Sequence, residues 1–193
     1  MKGASEVIRE WSGILDSCFG ACWPRDQGQG PRISSGNLWD QLESVGVPGI
    51  VGVYDHNSFP TVIAIEQKYA GHARQTAMAA MGCSAIARLH RYVVIVDEDI
   101  DPSNLQEVVW AMTSRVDPIR DIQFVDDCWS SPLDPHMPPH KKAKGPYTMS
   151  RAIYYAVRPW EWRESFPKVI RIDKTDREAL LEKYASTLPF PKH

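Results

Sequence analysis

The run Tyr92-Val93-Val94-Ile95-Val96 constrains the fold more than any other stretch of this chain. An unbroken apolar, mostly β-branched segment without polar alternation reads as a strand covered on both faces. Such a strand needs a layer above and a layer below. The residues that follow supply one of them. Leu105, Val108, Val109 and Met112 fall at i, i+3, i+4 and i+7, the spacing of an amphipathic helix. Asp101-Pro102 offers that helix an N-cap and a proline at its first position. A further strand is expected over residues 119–125. Strand, helix, strand in that order predicts an α/β domain, a sheet with helices packed on it.

The segment upstream fits the same plan. Asn37 can cap a helix over Leu38, Trp39 and Leu42, and Gly46 stops it. Residues 49–54 and 61–66 are strand-like, and Asp55-His56-Asn57-Ser58 between them has turn chemistry, so an antiparallel hairpin is expected. Residues 70–80 favour a helix whose small face, Ala73, Ala77, Ala80 and Met81, permits close packing on a sheet. Outside this centre, Val7, Ile8, Trp11, Ile14 and Leu15 predict an N-terminal helix, followed by a Gly/Pro-rich linker over 24–36. Residues 130–145 are too rich in proline and glycine for regular structure. Residues 150–157 read as a short helix and 158–172 as an irregular aromatic segment. A last helix, opening at Asp173 or Thr175, carries Leu180, Leu181 and Tyr184. The expected division is 1–35 (helix and linker), 36–172 (α/β domain) and 173–193 (terminal helix and tail, an oligomer contact).

Charge and composition narrow the function. A net charge of -2 gives no electrostatic reason for a nucleic-acid or anionic-membrane partner. No apolar run approaches the ~20 residues of a membrane helix, and residues 1–13 are too polar for a secretory leader; a cytoplasmic protein is expected. Cys18, Cys22, Cys83 and Cys128 are too scattered for a disulfide framework and lack the further ligands of a zinc site.

Three groups carry possible chemistry. Lys68, His72 and Arg74 cluster at a helix start, where free N–H groups can hold a phosphate or carboxylate; a solvated helix start with ordinary surface charges is the leading explanation. Asp97-Glu98-Asp99-Ile100-Asp101 packs carboxylates at the C-terminal end of the buried strand, where open α/β sheets bind ligands. A cap at Asp101 and ion pairs with Arg115, Arg120 or a partner chain account for the same residues. His136 and His140 flank Pro138-Pro139, which prevents the single helix that would align them for a metal. No phosphate loop, nucleophile elbow or zinc-protease motif is present.

Six strings in register resemble one family: NLWDQLESVGVPGIVGV (37–53), KYAGHARQ (68–75), YVVIVDEDID (92–101), NLQEVVWAMTSRVDP (104–118), WSSPLDP (129–135) and SRAIYYAVRPWEWRESF (150–166). Together they are similar to the C-terminal third of the UbiD-type (de)carboxylases, the 3-octaprenyl-4-hydroxybenzoate carboxy-lyase-like enzymes. The resemblance implies an αβα-layered C-terminal domain with a mixed sheet and flanking helices, which drives oligomerisation. For full-length members it implies prenylated FMN with a divalent metal and potassium, held by a separate barrel domain that also carries the catalytic Glu-Arg-Glu set. It implies that Ser131, Pro132 and Leu133 lie in a loop lining the substrate pocket as a lid.

Two functions follow from the resemblance. In the first, the chain is the oligomerisation and lid part of a decarboxylase for aromatic or α,β-unsaturated acids. Alone it is expected to be inactive and to bind no cofactor or metal, with any barrel subunit encoded separately. In the second, it is a non-catalytic assembly module, a homo-oligomer or a partner of a UbiD-type protein.

Overall fold

The computed structural model describes residues 33–56, 60–167, 169 and 174–184. The helix expected over residues 5–17 lies outside them. The chain divides into two compact units, 1–163 and 164–193. Within the first run α1 (Ile33–Ser44), β1 (Ile50–Asp55), β2 (Pro60–Ile65), α2 (His72–Gly82), β3 (Tyr92–Asp97), α3 (Leu105–Arg115), β4 (Ile122–Trp129), α4 (Pro139–Lys144) and β5 (Thr148–Ala156). The second contains α5 (Lys174–Tyr184).

The five strands form one mixed sheet in the order β1-β2-β3-β5-β4. The centre is parallel, β2 beside β3 and β3 beside β5, and each edge strand pairs antiparallel. The run over 92–96 is therefore the middle strand, and all but Tyr92 of it is fully buried. Alternate residues of the central strands serve opposite layers. Ile63, Ile65, Val93, Ile95, Ile153 and Tyr155 pack with α1 and α2. Val62, Ala64, Val94, Val96 and Ala156 pack with Val108 and Ala111 of α3. This is the three-layer αβα arrangement expected from the resemblance.

The expected hairpin forms β1 and β2, with Val53 opposite Ile63. The small face of α2 is buried at Ala73, Ala77 and Ala80. Helix α1 ends as expected. Gly46, at φ +80°, donates to Glu43 O, and Val47 N donates to Leu42 O. These are the paired bonds of a Schellman stop.

Several local expectations are corrected. Asn37 sits inside α1, which begins four residues earlier at Ile33. Asp101 does not cap α3. Its carboxylate accepts from Ser103 N and Oγ, tightening the preceding turn, and Asn104 is the cap, accepting from Gln106 N at 3.1 Å. Leu105 and Val109 face outward, because α3 turns Val108, Ala111 and Arg115 to the sheet. β4 starts at Ile122, not at 119. Asp117 accepts from Ile119 N and its own N–H donates to Asp121, a turn that leaves Ile119 92% exposed. The segment 139–144, inside the stretch read as irregular, is the short helix α4. The largest difference is at 150–157, a strand rather than a helix. Its Ile, Tyr and Ala side chains alternate between two covered faces, and packing on both sides overrides a run too short for periodicity to decide.

Candidate functional site

Two constellations gather the polar chemistry of the sheet. The first closes the C-terminal end of the parallel strands. Asp97, the last residue of β3, is fully buried. Its Oδ1 accepts from Gln67 Nε2 at 2.7 Å; its Oδ2 accepts from Arg115 Nη1 at 2.7 Å and from Arg158 N at 2.6 Å. Arg115 also holds Asp99 through both terminal nitrogens, and Arg158 reaches Glu98 at 2.5 Å. Gln67 spans on to the Arg158 carbonyl, and Arg163 donates to the Gln67 carbonyl. Burial pushes the Asp97 carboxyl up from its ordinary value, against the pull of Arg158 and Arg115; Asp99 is held down by its bonds to Arg115 despite partial burial. The acidic run thus finds its partner in Arg115, as one of the two sequence readings expected, and in Arg158, which that reading did not name. Arg120 stands 3.9 Å from Asp117 instead. The crevice where an open sheet would take a ligand is filled by this network.

The second constellation is the β4–β5 connection. β4 carries a bulge between Val125 and Cys128 that places Asp126 and Asp127 opposite one residue of β5, with Asp127 at φ 53°. Beside it lies a cavity of about 550 Å³ lined by Arg91, Asp126, Asp127, Asp134, His136 and Lys141, among others. Asp134, almost wholly buried, lies at its edge and accepts from Arg91 Nη2 at 2.8 Å on both oxygens. Ser131, Pro132 and Leu133 form the tip just before it, outside the cavity lining, and Leu133 is 54% exposed. Leu133 N donates to Ser131 Oγ, and Asp134 N to Ser131 O.

Lys68, His72 and Arg74 are placed as follows. Lys68 Nζ lies 2.6 Å from Glu66. His72 is fully buried, and its Nδ1 accepts from Lys68 N at 3.3 Å. Arg74 turns away, donating to the Arg120 carbonyl and lying 4.5 Å over the Tyr155 ring. Lys68 and His72 are therefore neighbours and Arg74 serves another contact. Sequence reasoning missed Arg91, Asp134 and Arg151. Their one signal was an arginine inside an apolar strand, at 151.

Burial holds His72 and His90 below the ordinary histidine value. His90 faces Asp55 at 3.6 Å, which raises it in part, and the Arg151 charge lowers it further. Because the folded chain binds these protons less readily than the unfolded chain, their contribution is complete above about pH 6.5 and is lost as pH falls below it. Asp97, whose value is raised, works in the opposite direction. The urea midpoint of His90→Asn is therefore expected to fall less steeply between pH 7 and 5 than that of the wild type. Parallel slopes would show that His90 does not titrate on unfolding.

Residues 32–156 match the family of 3-octaprenyl-4-hydroxybenzoate carboxy-lyase C-terminal domains. A phenolic acid decarboxylase of Sedimentibacter hydroxybenzoicus is 33% identical over 105 residues, 53% of this chain and 22% of that protein. The vanillic acid decarboxylase of the same organism, solved in an open form, superposes with a TM-score of 0.60 at 26% identity, covering 80% of this chain and 33% of the other. Its closed form gives 0.58 at 27% identity, covering 78% and 31%. The fold is shared also with the UbiD-class enzyme HmfF of Pelotomaculum thermopropionicum, solved with FMN, at a TM-score of 0.63 and 24% identity, covering 80% and 32%. The chain thus spans between a fifth and a third of the length of these relatives. Among the described residues, no helix is long and apolar enough to cross a membrane.

Proposed function

Because this chain belongs to the family of 3-octaprenyl-4-hydroxybenzoate carboxy-lyase C-terminal domains, we propose that it is the oligomerisation and pocket-covering part of a UbiD-type carboxy-lyase. Its substrates are aromatic or α,β-unsaturated carboxylic acids, and it works in the cytoplasm. Residues 36–172 are the working domain, and 173–193 make an oligomer contact. The observation that carries this reading is the turn Ser131-Pro132-Leu133, exposed at Pro132 and Leu133, on a domain whose relative has been solved in open and closed forms. A tip of that kind, laid over a neighbouring barrel, would exclude water from the reacting acid.

The described residues do not fit a seat for a flavin phosphate. The Lys68 ammonium is closed on Glu66, His72 is fully buried, and Arg74 is committed to Arg120 and Tyr155. No chemical step is assigned to them. In this reading the prenylated FMN, its divalent metal and potassium are held by residues outside the matched span.

The test is reconstitution. The chain is mixed with the remaining two thirds of the Sedimentibacter vanillic acid decarboxylase, produced without its own last third and loaded with cofactor. Loss of CO2 from an aromatic acid is expected to appear only in the mixture, and Leu133→Asp is expected to lower its rate about tenfold by wetting the covered site. A mixture that co-elutes without turnover would favour the second reading, a non-catalytic assembly module. That reading draws support from the exposed Trp129 and Leu133 beside the same loop, and from exposed Phe124 farther along β4.

A further inference from the structure

The β4–β5 connection is tied to the sheet by two arginines, one of them buried without a counter-charge among the described residues. Arg151 lies in β5, is 2% exposed, and makes no ion pair among the described residues. Its guanidinium donates instead to the Ala87 carbonyl and, at 3.2 Å, to the Trp129 carbonyl, with Met81 Sδ at 3.8 Å. Its Nε has no partner in the described structure. A buried cation without a counter-charge is costly, and an apolar side chain of similar volume would hold the same space at less expense. What an apolar side chain could not do is bind two backbone carbonyls from different segments at once. One is in residues 83–91, leading into β3, and the other is that of Trp129, the last residue of β4, at the base of residues 130–137. Arg88, stacked 4.4 Å over the Trp129 ring, adds a third strut between them.

The second anchor is Arg91. One of its terminal nitrogens meets both oxygens of Asp134 at 2.8 Å. The same carboxylate accepts from His136 N at 3.0 Å and from Ser130 Oγ at 3.4 Å. Backbone bonds from Asp134 N to Ser131 O and from Met137 N to Asp134 O complete the turn, and Ser130 N donates to Tyr147 O across its base. The loop is thus wound about one buried carboxylate whose charge is met by the residue preceding β3.

We propose that Arg91 and Arg151 are positioning residues that make residues 130–137 a rigid extension of the sheet and present Ser131, Pro132 and Leu133 at a fixed place. Any closing movement then carries the tip with the whole domain rather than folding the loop afresh. That the tip covers a pocket rests on the function proposed above; that it is rigid does not.

Hydrogen exchange on the complete chain tests the rigidity without any assay of turnover. In the wild type the amides of Asp134, His136 and Met137 are expected to exchange at least tenfold more slowly than free peptide. Arg91→Gln is expected to release them by tenfold or more while β3 and β5 amides stay unchanged. Arg91→Lys, which keeps a single nitrogen able to meet both oxygens, restores most of the protection. Arg151→Met is expected to loosen the same loop at an unchanged or higher Tm; should that variant not fold, the Arg91 pair decides. Free-peptide exchange in the wild type would overturn the proposal. So would an increase shared equally by loop and strands, or loop protection indifferent to Arg91→Gln. If these shifts occur but Leu133→Asp leaves the reconstituted rate alone, the pocket-covering role fails and the positioning role stands.

Discussion

Asp97→Ala should cost about 3–5 kcal/mol of folding stability, the range for removing one member of a buried ion network. The size follows from what is left behind. Arg115 has a fully buried side chain and would lose the buried one of its two carboxylate partners, Asp99 being partly exposed. Arg158 N, whose 2.6 Å bond goes to Asp97, would lose its acceptor, and Gln67 would keep only the Arg158 carbonyl. Asp97→Asn keeps the shape but brings an N–H where Oδ2 now accepts from two donors, so it should recover little. Arg115→Met/Asp97→Leu, in contrast, should be milder than either single change because it strands no fully buried charge, Asp99 being partly exposed. Urea unfolding of the four proteins checks this. A loss under about 1 kcal/mol for Asp97→Ala would mean the network is wet.

Gly49→Ala is expected to cost about 2–3 kcal/mol through backbone strain. Gly49 adopts φ +67°, where a side chain is disfavoured, and an added Cβ would stand 2.7 Å from the Glu66 carbonyl oxygen. That oxygen belongs to backbone and cannot rotate away. Relief must come from opening the end of the β1–β2 ladder, where Glu66 N donates to Gly49 O at 2.8 Å. The neighbouring Lys68 and His72 also crowd the site. By comparison Gly71→Ala meets open space at φ +83° and should cost only the strain of its backbone. A thermal-melt difference between the two variants separates crowding from strain.

The β1–β2 hairpin, the central strand and the small face of α2 were legible because each is written in local sequence: turn residues, an unbroken β-branched run, alanines at helical spacing. The carboxylates of 97–101 were visible as a cluster, and so was Arg115 as their counter-charge. Gln67 and Arg158 were not, since they reach Asp97 across 30 and 61 positions of chain and only the sheet order brings them together. β5 was misread for a related reason. Its neighbours are β3 and β4, and in eight residues a two-sided strand and a short buried helix carry the same apolar signal. The loop tip 131–133 was recognisable through family strings alone. Nothing in its spacing announces Asp134 as the pivot, because Arg91 lies 43 positions away.

The bulge in β4 has a consequence for how copies of this domain can meet. An eight-residue outermost strand with free backbone groups is a standing invitation to another chain's strand. Asp126 and Asp127 break its regular spacing and set two like charges on the rim, so an incoming β-strand would face both a kink and repulsion. Growth of a ribbon by strand addition at this edge is thereby opposed by both shape and charge.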